Sequence, residues 1–152
     1  MTPRPTPTFL DMTRAEAEEL LSRNHVGRLA FSFHDRVDIQ PLSYAFESPW
    51  IYLRTEEGAK ITTLAHHPWA AFEVDEVEGP FDWRSVVARG AVDLMDPVHG
   101  STDQSAYDHA VALLRQVIPG ALTQEDPVPF RDVVMRLHVD DMTGRRATSA
   151  RG

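Results

Sequence analysis

Alternating apolar and polar positions divide most of the chain into short strands. Alternation of this kind, with many β-branched and aromatic residues, is typical of strands that bury one face. Short polar turns at residues 34–36 and 47–49 separate the first three strands, which therefore read as a meander. The pattern predicts six strands, at residues 26–33, 37–46, 50–54, 69–74, 83–95 and 132–139.

Three helices interrupt the strand pattern. A capping box at residues 13–16 precedes the first helix. The second is a helix of two turns at residues 59–66. A cap pattern at residues 101–104 precedes the third, whose apolar stripe runs over residues 106–118.

Six strands with few helices predict a mainly β fold, an antiparallel β-barrel with short helices. Closing the sheet removes the exposed edges that a short meander would leave. Gly90, inside the fifth strand, predicts a bend or bulge at a barrel corner. A β-sandwich is the alternative.

The segments outside this pattern are expected to be irregular. Residues 1–12 form a Pro-rich extended arm, either disordered or clasping a partner, ahead of a single domain at residues 13–146. Residues 76–82 are acidic and are expected to form an exposed loop. Residues 143–146 are expected to begin a basic tail, which residues 147–152 complete.

Composition narrows the classes of function. The 152 residues include no cysteine, which excludes disulfides, thiolate catalysis and Cys-ligated metals. A net charge of −8 argues against non-specific nucleic-acid binding. No apolar run approaches the roughly 20 residues of a membrane helix, and the start lacks the apolar core of a secretory signal. We therefore expect a cytoplasmic protein that binds neither membranes nor nucleic acid.

A cationic cluster at the end of the third strand is the strongest local signal. Arg54, Thr55 and Lys60 surround the predicted start of the second helix. Helix starts present unpaired N–H groups, and Arg and Lys hold phosphate oxygens. These features predict a seat for one phosphate group. The alternative for Arg54 is a surface salt bridge with Glu56 or Glu57.

The ordered segments resemble a known family. The chain is similar to the pyridoxamine 5′-phosphate oxidase-like, FMN-binding split-barrel proteins, and most similar to the branch that includes the nitroimidazole-resistance flavoproteins. The matching segments, in chain order, are residues 27–30, 40–44, 51–55, 58–60, 67–74, 85–90 and 143–145.

The resemblance implies a six-stranded antiparallel split barrel that dimerises around FMN and acts as an oxidoreductase on a small organic substrate. It implies three groups of cofactor-binding residues: one along the flavin ring, one at the phosphate, and one approaching the flavin from nearby or from the other subunit. In that order the groups are Pro41, Leu42 and Ser43; Arg54, Thr55 and Lys60; and Trp83, Arg84, Ser85 and Val86.

Several alternatives stay open within this resemblance. The nitroimidazole-resistance branch usually carries His where Arg54 stands, which leaves nitroreductase activity open. The chain also lacks the C-terminal substrate-binding elements of true pyridoxamine phosphate oxidases. The ligand alternatives are the deazaflavin F420 and haem, and the functional alternative is a non-catalytic carrier in which Trp83 covers the ring. The seven histidines form no metal-binding motif, and no catalytic residue is predicted.

Overall fold

Strands dominate the protein, and three helices connect or cover them. The computed structural model describes residues 6–100 and 102–149. All six predicted strands are present, with ends shifted by a few residues. The elements are β1 (Pro7–Asp11), α1 (Arg14–Arg23), β2 (Val26–Phe33), β3 (Arg36–Glu47), β4 (Trp50–Thr55), α2 (Ala59–His66), β5 (Trp69–Gly79), β6 (Asp82–Leu94), α3 (Gln104–Val117), β7 (Val133–His138) and β8 (Asp141–Ser149).

The six predicted strands close into a barrel. Their order is β6-β5-β2-β3-β4-β7, and a pairing between β7 and β6 completes the ring. Every pairing is antiparallel. The predicted mainly β split barrel is therefore confirmed, with two strands more than expected, because β8 and then β1 extend the sheet outward from β6.

Gly90 lies where β6 changes partner along one edge. Residues 83–89 of β6 pair with β8, and residues 92–94 pair with β7. A Cβ at Gly90 would overlap the carbonyl group of His138 at the end of β7. The pairing with β5 stays in register through Ala70↔Gly90, so no bulge lies at this residue. Glycine is needed here because only glycine lets the two backbones approach this closely.

Both ends of the chain differ from the expectation. Residues 7–11 of the predicted arm form β1, which pairs with β8 from Pro7↔Ser149 to Asp11↔Arg145. The predicted basic tail is β8 itself, with Arg145 and Arg146 inside the strand. The sheet thus continues on both sides of the predicted domain limits. Residues 1–5 and 150–152 lie outside the described residues.

The structure also corrects the prediction that residues 76–82 form an exposed acidic loop. β5 runs to Gly79 and β6 begins at Asp82, so only a tight turn separates them. Glu76 accepts hydrogen bonds from Arg23 at 2.7 Å and from Arg84 at 3.1 Å. The Arg23 guanidinium is the main reason that the pKa of Glu76 falls to about 2. The carboxylate that suggested a solvated loop is held by arginines of α1 and β6.

α1 packs into the core of the barrel, and α3 covers the outer side of β3 and β4. The capping box of α1 is present, with the N–H of Glu16 donating to Thr13 Oγ1 at 3.2 Å. Leu20 and Leu21 of α1 enter the barrel core, where Tyr44 donates its hydroxyl to the Leu21 carbonyl at 2.7 Å. α3 packs outside β3 and β4 over a second apolar cluster. At its start Asp103 makes no side-chain cap, and Ser101 lies outside the described residues.

A buried ion pair fixes the long connection between α3 and β7. Arg54 on β4 and Asp126 in the connection are 1% and 2% exposed, and they pair directly. Arg54 also donates to the carbonyls of Val128 and Arg131, at 3.1 and 2.9 Å. The Arg54 hydrogen bond, with help from backbone N–H groups, lowers the pKa of Asp126 to about 2. Arg54 therefore holds a segment that has no regular structure of its own.

None of the described helices is both long and apolar enough to span a membrane.

Gly90→Ala should destabilise the protein by about 3 kcal/mol or more, because the added methyl group meets backbone rather than a movable side chain. Denaturant unfolding measures the change. Gly79→Ala is the matched control, since the nearest atom to its added Cβ would be 4.0 Å away. Equal stability of the two variants would contradict the close approach at Gly90.

Asp126→Asn should lower the melting temperature by about 10 °C at neutral pH, because it weakens a buried pair. Because the pKa of Asp126 is about 2 when folded and about 3.9 when unfolded, the pair stabilises the fold above about pH 4 and loses this effect as pH falls toward 2. The gap between wild type and variant should therefore narrow over that range. Asp35→Asn, at an exposed turn, is the control; a gap independent of pH would contradict the account.

Candidate functional site

A cleft of about 390 Å³ opens at the end of the β2–β3 hairpin. One wall is formed by alternate residues of β3, namely Arg36, Asp38 and Gln40, beside Phe31 of β2. The other wall is formed by the β4–α2 connection and the first turns of α2, residues 56–60 and Thr63. The cleft thus lies between a strand edge and a helix start.

The strand side of the cleft has an open edge. β3 pairs with β2 along residues 36–43, but it pairs with β4 only along residues 44–47. The second edge of residues 36–43 consequently has no strand partner among the described residues. Backbone N–H and C=O groups along such an edge are available to a ligand. This separation of β3 from β4 is the opening of the split barrel.

The residues predicted to contact the flavin ring continue this open edge. Pro41 and Ser43 alternate with Leu42, which points into the core and is 4% exposed. Pro41 is exposed and Ser43 is half-buried. They follow Gln40, which lines the cleft. Leu42 can therefore offer only backbone to a ligand on that edge.

Lys60 is the only lysine in the sequence, and it is buried at the helix side of the cleft. Its Nζ donates to Thr55 Oγ1 at 2.8 Å. Burial, and secondarily the charge of Arg131, lowers the pKa of Lys60, while Glu56 and Asp38 act in the opposite direction. No carboxylate lies within ion-pair distance of Lys60 in the described residues. A buried ammonium with only a neutral partner is a favourable place for an anion.

The start of α2 adds uncapped backbone donors beside Lys60. Gly58 occupies the N-cap position and makes no side-chain cap. Its carbonyl accepts from the N–H of Ile61 at 3.1 Å, whereas the first N–H groups of a helix have no partner within it. Apart from Gly58 and its two chain neighbours, none of the described residues has an atom within 4 Å of the position that a Gly58 Cβ would take. These features fit one phosphate group, as the sequence predicts for Lys60 and Thr55.

Arg54 lies on the other face of β4 from Thr55, because successive strand residues point in opposite directions. Its guanidinium faces Asp126 and the α3–β7 connection, and Arg54 does not line the cleft. The expected surface salt bridge with Glu56 or Glu57 is also absent among the described ion pairs. One atom, Nη1 of Arg54, is buried without a hydrogen-bond partner. The structure therefore brings Thr55 and Lys60 together and leaves Arg54 apart from them.

The third predicted group lies elsewhere on the same chain. Trp83 packs near Phe9 of β1, with ring centres 6.2 Å apart. Arg84 is bonded to Glu76, and Ser85 Oγ donates to Glu73 at 2.9 Å. Val86 is fully buried in the core. None of these four residues lines the cleft of its own chain.

Sequence reasoning missed the strand wall of the cleft. Arg36, Asp38 and Gln40 lie at every second position of β3, so strand periodicity places them on one face. What the sequence does not show is that this face meets the start of α2. The described residues include no group of three histidine or acidic side chains arranged for a metal ion.

Comparisons with known proteins agree with this fold. A protein from Rhizobium meliloti, the uncharacterized protein RA0666, is 27% identical over 143 residues, covering 90% of this chain and 93% of that protein. An FAD-binding protein from Mesorhizobium loti has a TM-score of 0.75 at 24% identity, over 95% of this chain and all of that one. A candidate 5-nitroimidazole antibiotic resistance protein from Bacteroides thetaiotaomicron has a TM-score of 0.70 at 17% identity, over 95% and 90%.

These likenesses extend over the whole barrel rather than one motif. The family model described as pyridoxamine 5′-phosphate oxidase matches residues 13–146, which include every strand of the closed ring. The chain belongs to the pyridoxamine 5′-phosphate oxidase family.

Proposed function

We propose that the protein binds FMN in the cleft beside Lys60 and acts as an oxidoreductase on a small organic molecule. The observation that carries the proposal is the buried Lys60 ammonium, which has a hydroxyl partner at 2.8 Å but no carboxylate partner among the described residues. A phosphate would supply the missing negative charge, and the N–H groups at the start of α2 would share it. The FAD-binding relative from Mesorhizobium loti supports a flavin as the ligand.

The flavin ring is proposed to lie along the open edge of β3. Backbone groups of Pro41, Leu42 and Ser43 would contact its polar rim, and the cleft of about 390 Å³ lies between this edge and Lys60. The bound flavin would supply the electron transfer, while the chain binds and orients it. Since Lys60 and the start of α2 form a seat for one phosphate group, with Arg36 on the opposite wall, we favour FMN over F420 and haem.

Arg54 has a different proposed role from the one that the resemblance implies. Its phosphate contact stays a prediction, but Arg54 lies on the opposite face of β4 from Thr55 and does not line the cleft. Its visible contacts all run to the α3–β7 connection. An Arg54 substitution would therefore affect stability, whereas a Lys60 substitution would affect the ligand.

We further propose a homodimer in which the partner copy completes the flavin site. Residues 83–86 do not reach the cleft of their own chain, so a second copy would have to bring them there. Val37 and Ile39, on the face of β3 opposite the cleft, and Trp69 of β5 leave large apolar side chains exposed, and Val37 is 80% exposed. Exposed apolar side chains of this size are common at subunit interfaces.

Lys60→Ala should weaken FMN binding by about 1.5–3 kcal/mol, the range for a hydrogen bond to a charged group. Quenching of flavin fluorescence during titration measures the affinity. Lys60→Arg should keep most of it, and Arg14→Ala, on the exposed face of α1, is the matched control for loss of one positive charge. No binding of FMN by the wild type, or equal affinity of wild type and Lys60→Ala, would contradict the proposed site.

Turnover is measured on the same sample. NAD(P)H-dependent bleaching of the bound flavin, followed by reoxidation with an organic acceptor, is expected from an oxidoreductase. Bound flavin that NAD(P)H does not reduce would favour a carrier.

Light scattering should give a mass in solution of twice the 17.1 kDa of one chain. Val37→Asp should shift the protein toward monomer and weaken flavin binding together, because charge at an apolar interface opposes association. Val98→Asp, which also replaces an exposed valine, is the control. A monomeric wild type that binds FMN at full occupancy would contradict the shared site.

A further inference from the structure

A second and larger cleft lies on the far side of the β4–α2 connection. Its volume is about 510 Å³. It is enclosed by the β4–α2 connection, α2, the end of β6 with the β6–α3 connection, α3, and the end of the α3–β7 connection with the start of β7. Glu57 lines both clefts, so the two ligand spaces meet at this residue. The flavin site proposed above leaves this second cleft free.

Apolar and polar groups line the second cleft to a similar extent. The apolar side chains are those of Ile61, Leu94, Met95, Pro97, Val98, Val133 and Val134. Tyr107 of α3 contributes an aromatic ring, which is half-buried. Cavities with such walls bind the apolar body of a small molecule, and a few polar groups fix its orientation.

The charged groups of the second cleft are all acidic. Glu57, Asp96 and Asp132 line it, and no lysine, arginine or histidine of residues 6–100 and 102–149 does. Asp96 accepts hydrogen bonds from the backbone N–H groups of Val98 and His99, which lower its pKa and keep it ionised. Glu57 and Asp132 have no ion-pair partner among the residues that the structure describes. Both carboxylates are exposed to solvent and are available to a cationic ligand.

The two clefts differ in their cationic groups. Both are lined by three carboxylates, but the first also has Arg36 and the buried Lys60, which suit an anion. A phosphate in the second cleft would face three carboxylates and no cation among the described residues. The chain's net charge of −8 adds to the attraction of cations toward the acidic cleft. The aromatic ring of Tyr107 also favours a cation, since a positive group interacts well with an aromatic face.

We propose that the second cleft binds a small organic cation, a protonated amine with an apolar or aromatic body. The apolar walls would hold the body, and Glu57 and Asp132 would hold the ammonium group. Because Glu57 belongs to both clefts, the cation would lie next to the flavin site. Binding in the second cleft does not require bound flavin, so the two proposals can fail separately.

The test uses three probes of one shape and different charge, added to the full chain without flavin. Phenethylamine is the cation, phenethyl alcohol the neutral analogue and hydrocinnamate the anion. Amide NMR spectra locate and quantify binding. Phenethylamine should shift the amide signals of Met95, Tyr107 and Val133, and it should bind at least about fivefold tighter than the alcohol, as expected for an ion pair near the surface.

Variants that remove charge distinguish contacts inside the second cleft from the effect of the protein's net negative charge. Glu57→Gln combined with Asp132→Asn should weaken phenethylamine binding about fivefold and leave the alcohol unchanged. Glu19→Gln combined with Glu78→Gln removes the same net charge from exposed sites outside both clefts and should have little effect. Melting curves confirm that each variant is folded.

Three results would overturn the proposal. One is equal binding of the three probes, and another is equal weakening by the control pair of substitutions. The third is a stronger response of the same amides to adenosine than to phenethylamine, with FAD bound more tightly than FMN. That result would assign the second cleft to the nucleoside half of a longer cofactor.

Discussion

The buried Lys60 ammonium is the constraint on which the rest of the site depends. A positive charge removed from water needs a negative partner, and the described residues give it only the Thr55 hydroxyl. Two other cations removed from solvent do have acidic partners: Arg28, which is half-buried, pairs with Glu73 and Asp75, and the buried Arg54 pairs with Asp126. Lys60 lines a cleft and has no such acidic partner among the described residues. The negative charge of a ligand would therefore stabilise the complex most at this position.

Side chains on both faces of β4 hold Lys60 and the cleft around it in place. On β4, Arg54 faces outward and fixes the α3–β7 connection, while the next residue, Thr55, holds Lys60. The same connection leads into Asp132 and Val133, which line the second cleft. Thr55 thus supports the first cleft through Lys60, and its neighbour Arg54 fixes the connection that leads into the second cleft. Closure of β6 onto β7 at Gly90 holds β4 in the ring, since β7 pairs with β4 along its whole length.

Much of this fold could be predicted from the sequence because its signals are local. Strand alternation and the capping box at Thr13 are each encoded within a few residues. The pairing of β1 with β8 could not be predicted in this way, because it joins residues about as far apart as the chain allows. The short Pro-rich segment before α1 has little hydrophobic alternation of its own, and it forms a strand because it pairs with β8.

In the candidate site, too, the local features could be predicted from the sequence and the contacts between distant segments could not. Spacing alone suggested that Arg54 and Lys60 lie together, but strand alternation places Arg54 and Thr55 on opposite faces. The partner of Arg54, Asp126, lies 72 residues away in an irregular connection with no helix or strand signal. Likewise, nothing near Arg36 or Gln40 indicates that they meet the start of α2. Local chemistry identified Lys60 and Thr55, and only the closed barrel supplied the opposite wall.

The most direct test uses the fact that the sequence contains a single lysine. Protein labelled with isotope only at the lysine side chain gives one ammonium NMR signal, which belongs to Lys60. FMN should shift that signal strongly, whereas riboflavin, which has the same ring and no phosphate, should leave it nearly unchanged. A flavin that binds tightly in both forms without moving the lysine signal would contradict the account.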